Sequence, residues 1–139
     1  MKLSVSNTLQ NVGAFGVGLF AGCAVNIALI TLNSKVLYPP PTGLDLEKSA
    51  DLATYIASLP IPAFGTVFAA HWGQTVVAGL IATQLAVKPT SPMLWTQTMS
   101  CLTMMGSIAS IQMLSAPLWT WIEIPFHPLL AWMIAKQFD

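Results

Sequence analysis

Arginine is absent from this chain of 139 residues, and charge of either sign is scarce. Five lysines face five acids, and charged residues make up 7% of the sequence. Soluble domains are about 25% charged. With 55% apolar residues and a mean hydropathy of +0.69, a soluble fold would have too few charges to cover its exterior. Zero net charge without arginine leaves no basic patch for nucleic acid. The missing arginine also argues against a mitochondrial transit peptide. Cysteine is sparse too. Cys23 and Cys101 both fall in apolar stretches, which excludes a disulfide framework and suggests small buried thiols. No CxxC, zinc-site spacing, nucleophile elbow or zinc-protease motif occurs, so the chain is expected not to be an enzyme.

What the chain has instead is long apolar runs. A spanning helix needs about 20 mostly apolar residues. Four segments meet that need, at about 11–33, 62–87, 92–114 and 117–135, with prolines at most boundaries. Phe20-Ala21-Gly22-Cys23 faintly resembles a lipoprotein cleavage box, but the apolar run continues through Leu32, too far for a signal peptide. The one long connection, 34–61, carries Pro39-Pro40-Pro41 and then LDLEKSADLATYIASLP, where Leu52, Ile56 and Leu59 recur at helical spacing behind Asp45, Glu47, Lys48 and Asp51. Residues 45–59 therefore read as a short amphipathic helix at the membrane surface, stopped by Pro60. The expected fold is all-α, a single integral membrane four-helix bundle with this interfacial helix between its first two spans.

Four spans place both termini on one side with Lys2, Lys88 and Lys136, against Lys35 and Lys48 opposite, which points to cytoplasmic termini in a bacterial inner membrane. Trp95, Trp119, Trp121 and Trp132 fall near span ends, as interfacial aromatics do. Small residues recur at four-residue spacing: Ala14, Gly18, Gly22 and Asn26 on the first helix, and Gly65, Ala69 and Gly73 on the second. Such stripes let helices approach closely in lipid, within one bundle or between copies. Thr96, Ser100, Thr103, Ser107 and Ser110 form a hydroxyl stripe on the third. Partners are therefore the lipid bilayer and, through such faces, other membrane proteins or a second copy of the chain.

The last segment, PLWTWIEIPFHPLLAW, holds Glu123 and His127 beside Pro125 and Pro128. Ionisable residues in a membrane segment are costly and raise a functional question. The two prolines cannot donate to the carbonyls of Trp121 and Ile124, which predicts a kinked helix with free carbonyls on its inner side. Counted from the side of the 34–61 loop at about 1.5 Å per residue, Asn26, His71, Ser107, Glu123 and His127 all lie about 9 to 15 Å deep. Three readings fit this polar layer: a hydrogen-bond cluster that fixes the bundle, a Glu/His path for protons or a small solute, and haem ligation by His71 and His127.

YPPPTGLD, YIASLPIPAF, AHWGQTVVAGLIA and APLWTWIEIPFHPLLAW together resemble an uncharacterised family of small bacterial integral membrane proteins with four predicted helices. That family shares a YP-x-P-x-G-x-D loop, an LP-x-PAF helix start, an AH-x-x-G segment and a proline-rich last helix with an acid. The resemblance implies fold and membrane location and no activity. The histidine between two prolines, His127, departs from its pattern. The leading expectation is a non-enzymatic accessory or scaffold component of a membrane assembly. The alternatives are a proton-coupled transporter or channel, and a haem-binding electron-transfer protein.

Overall fold

A computed structural model describes residues 5–87 and 91–138. Among these the chain is all-α, without a strand. Four main elements pack together and one short helix lies across an end. Helix α1 is Val5–Leu32 and runs on into a π turn, Asn33–Leu37; α2 is Ser49–Ser58; α3 is Ile61–Leu85; α4 is Pro92–Met113. A 3₁₀ segment, Leu118–Glu123, precedes α5, Phe126–Ala135. Helices α1 and α3 are long and apolar enough to cross a membrane. Lys2 and Lys88 lie outside the described residues.

Prolines set the boundaries. Leu59, before Pro60, is extended and ends α2, and Pro62 sits in the first turn of α3, where no N–H is missed. Pro92 opens α4 behind Ser91, whose hydroxyl caps the Leu94 amide at 3.4 Å. Helix α4 ends on Ser115 at φ 50°, with Ala116 N–H donating back to Ile111 O at 3.1 Å. Helix α2 starts later than its charges suggest. Asp45 belongs to the preceding turn, where its carboxylate accepts from Glu47 N–H at 3.1 Å and pairs with Lys48 at 3.4 Å.

Helix α3 is the centre, with α1, α4 and α5 packed around it. Helix α1 runs antiparallel to α3. A Cβ on Gly18 would lie 2.7 Å from Ala78 O, and one on Gly22 would lie 2.6 Å from Gln74 O, so only glycine permits this approach. The face of α3 that receives α1 is therefore Gln74, Ala78 and Ala82. The expected Gly65-Ala69-Gly73 stripe is corrected by this geometry. Gly73 meets Val25, but Gly65 and Ala69 are exposed and a Cβ on Gly65 would touch nothing within 4 Å. Four-residue spacing puts residues on one face without saying what that face meets. Cys101 is also exposed rather than buried, while Cys23 is half-buried and accepts from Gln74 Nε2 at 3.4 Å.

The last segment is not one kinked helix. The 3₁₀ stretch and α5 meet at Ile124-Pro125, and the two carbonyls expected to be free are not free. Ile124 N–H donates to Trp121 O at 3.2 Å, and His127 N–H to Ile124 O at 3.2 Å. Prolines remove the i+4 donor, and tightening to i+3 bonds supplies another.

Candidate functional site

The interior of the bundle carries many polar side chains among its alanines, and its outside is apolar. Thr75, Thr96, Ser100, Thr103, Ser107, Glu123 and His127 are buried, while Phe20, Met113 and Leu118 are 79–85% exposed. Buried polar groups are tolerated when hydrogen-bonded. Thr96 bonds carbonyls of its own helix, and Thr75, Thr103, Ser107, Glu123 and His127 join with His71 in two clusters.

The first cluster is a hydrogen-bonded His–Glu pair across α3 and the 3₁₀ segment. Glu123 is 1% exposed, and its carboxylate oxygens lie 3.0 and 3.1 Å from His71 Nδ1. The ring therefore donates from Nδ1, which leaves Nε2 without a hydrogen-bond partner. Trp72 Nε1 donates to the Glu123 carbonyl at 3.4 Å and fixes the strand of backbone that carries the acid. Phe64 and Phe68 pack on Trp119, and Trp72 on Phe126 at 4.9 Å between ring centres, which seals this seam.

The second cluster joins α3, α4 and α5. His127 is fully enclosed, with Thr75 Oγ1 2.7 Å from Nδ1 and Ser107 Oγ 3.1 Å from Nε2. Thr75 Oγ1 is also 2.7 Å from Thr103 Oγ1. Either neutral tautomer satisfies every member. With the proton on Nδ1, His127 donates to Thr75, Thr75 to Thr103, Thr103 to its own helix, and Ser107 to Nε2. With the proton on Nε2, His127 donates to Ser107, Ser107 to the Thr103 carbonyl, Thr103 to Thr75, and Thr75 to Nδ1. The chain of bonds can thus reverse as a unit.

The structure brings His71 to Glu123, and Ser107 to His127, and sets the two pairs side by side. No side-chain hydrogen bond joins one cluster to the other among the described residues, although Thr75 reaches the His71 carbonyl at 3.2 Å. Asn26 stands apart. It is half-buried and hydrogen-bonds to neither cluster, but it lines the cavity described below with His71 and Glu123. Toward the C-terminal end of α3 and the start of α4 the layer meets Ala78, Ala82 and Met99, all without exposure, with buried Thr96 and Ser100 beside them.

On the other side lies a cavity of about 340 Å³. Its floor is His71 and Glu123, its walls come from α1, α3 and α4, and Leu52, Tyr55, Ile56 and Leu59 of α2 roof it. The apolar face of α2 thus covers the end of the bundle. Tyr55 is buried there, which pushes its phenol up from the ordinary value, and it donates to Tyr38 O at 2.5 Å. Asn33 also lines the cavity. It is 4% exposed, and its Oδ1 has no partner.

Thr75, Asn33, Tyr55 and Trp72 were not singled out by sequence. Thr75 lies one helical turn after His71 and faces Thr103 one turn before Ser107, so extending the layer by four residues would have found both. Asn33 follows Asn26 by seven, two turns along one face. Haem does not fit. Both ring nitrogens of His127 are engaged, and His127 does not reach the cavity. Among the described residues no three His, Cys, Asp or Glu groups cluster as metal ligands.

Comparison with family profiles, with characterised proteins and with solved structures finds no match to this chain. The comparisons therefore tie it to no particular family. What stands of the resemblance is a small all-helical protein with two helices of membrane-like length and composition.

Proposed function

We propose that this is a small multi-pass integral membrane protein, non-enzymatic, serving as an accessory component that packs against larger membrane partners. The observation that carries this reading is the inverted distribution of polarity. Serine, threonine, histidine and glutamate share the interior with small alanines, and valine, leucine, phenylalanine and methionine cover the outside. Water would penalise that surface, and a bilayer would not. Lengths agree with crossing. At about 1.5 Å per residue, α1, α3 and α4 span about 42, 38 and 33 Å, against a hydrocarbon core of about 30 Å. The 3₁₀ segment and α5 together reach about 27 Å at their own rises.

The competing transport reading draws on the same polar layer. The accessory reading is favoured by the closure of the His127 cluster on itself. Thr75 and Ser107 engage both ring nitrogens, and among the described residues no hydrogen bond between side chains passes from it to the His71–Glu123 pair. Two experiments test the proposal. The protein should remain in the membrane pellet after alkaline carbonate washing, and release into the supernatant would refute membrane integration. Liposomes holding the protein should leak protons no faster than empty ones. A proton flux abolished by Glu123→Gln would establish the transport reading instead.

A further inference from the structure

Among the described residues two buried side-chain atoms lack a hydrogen-bond partner, Asn33 Oδ1 and Thr83 Oγ1. A buried amide oxygen without a partner is costly, and of the two residues Asn33 is the one that lines the adjoining cavity. It sits at the start of the π turn, where Tyr38 N–H bonds to the Asn33 carbonyl at 2.8 Å, five residues back. Such widened turns are frequent at functional sites. The same turn is tied to the roof, because Tyr38 O accepts from Tyr55 of α2.

The cavity has one polar end and an apolar remainder. Asn33 Oδ1 and the Glu123 carboxylate are acceptors, and His71 Nε2 is unengaged while Nδ1 donates to that carboxylate. Ile30, Leu52, Phe64, Phe68, Ile111 and Leu114 supply apolar wall. At roughly 30 Å³ for each water-sized group, a volume of about 340 Å³ holds about eleven such groups. That is too large and too apolar a space for a few ordered waters, which need two to four polar partners each. It suits a short chain with one polar head.

We propose that this cavity binds a small amphiphile whose head donates hydrogen bonds, a hydroxyl or an ammonium group, to Asn33 and the His71–Glu123 pair, with its apolar body beneath α2. An anionic head is excluded by the same chemistry. It would bring a second negative charge to Glu123 and offer no proton to Asn33 Oδ1, the atom that lacks a partner. The assignment goes beyond the accessory role and depends on membrane integration only for the medium of its test.

The test is equilibrium binding of radiolabelled 1-octanol, octylamine and octanoate to the full chain in lipid nanodiscs, against empty nanodiscs. Octanol, octylamine or both should show a saturable component approaching one molecule per chain, and octanoate should match empty discs. Asn33→Leu should weaken binding about tenfold or more. Leu52→Trp, on the roof helix and outside the bundle core, should fill the space and remove the saturable component with helicity unchanged. No saturable binding of either donor probe, octanoate binding as tightly as they do, or wild-type affinity in Leu52→Trp would overturn the proposal. Incorporation into nanodiscs is itself read separately, so a failure of membrane integration is distinguishable from a failure of binding.

Discussion

Replacing Gly22 by alanine should separate α1 from α3, and the same replacement at Gly65 should not. A Cβ at Gly22 falls 2.6 Å from the Gln74 carbonyl oxygen and 3.0 Å from Ala78 Cβ, where ordinary contact begins at 3.4 Å. The nearer obstacle is backbone, so no side chain can rotate away. Helix α1 must retreat by about 0.8 Å, taking Gly18 and its 2.7 Å approach to Ala78 O with it. Overpacking of this kind costs about 1–3 kcal/mol. Alanine also gains about 1 kcal/mol over glycine within a helix, and this gain is common to both positions. A Cβ at Gly65 meets nothing within 4 Å, so that variant reads the gain alone. The difference between the two variants isolates the clash. At about 4 °C per kcal/mol for a domain of this size, Gly22→Ala should melt about 4–12 °C below Gly65→Ala. Thermal unfolding in mild detergent, followed by circular dichroism, measures this. Equal melting points would refute the close α1–α3 approach.

Three further outcomes follow from particular contacts. His71→Leu should destabilise by about 3–5 kcal/mol by leaving Glu123 buried without a partner, and His71→Leu with Glu123→Leu should recover most of the loss; denaturant titration of both variants checks this. Tyr55→Phe removes the bond to Tyr38 O and should speed amide exchange across α2 severalfold while leaving α3 and α4 protected, as hydrogen exchange would show. Ser115→Gly relieves the left-handed φ of 50° and should stabilise by about 1 kcal/mol, a rise of a few degrees in melting temperature.

Much of the helical arrangement was legible because apolar runs and prolines agree. Pro60, Pro62 and Pro92 mark ends that lie within a few residues of those predicted. Depth counting grouped His71, Ser107, Glu123 and His127 because α3, α4 and the last segment are joined by short connections, so equal depth becomes proximity. Asn26 lines one cavity with His71 and Glu123 but hydrogen-bonds to neither cluster. The choice of face on α3 was not legible. Gly65-Ala69-Gly73 and Gln74-Ala78-Ala82 share the same spacing, and only packing decides between them. Nor was the break at Ile124-Pro125, where i+3 bonds replace the missing donors. Asn33 was hidden for a related reason. The π turn that begins there departs from the 3.6-residue period on which sequence patterns rest.

The central claim is that the apolar outside of this bundle faces lipid. Cys101 tests it most directly, being exposed near the middle of α4. In a Cys23→Ser background, a charged, water-soluble maleimide applied to proteoliposomes should leave Cys101 unmodified until SDS is added. An Ala57→Cys control on the exposed side of α2 should label in the intact vesicles. Ready labelling of Cys101 in those vesicles, at the rate of the α2 control, would contradict the account.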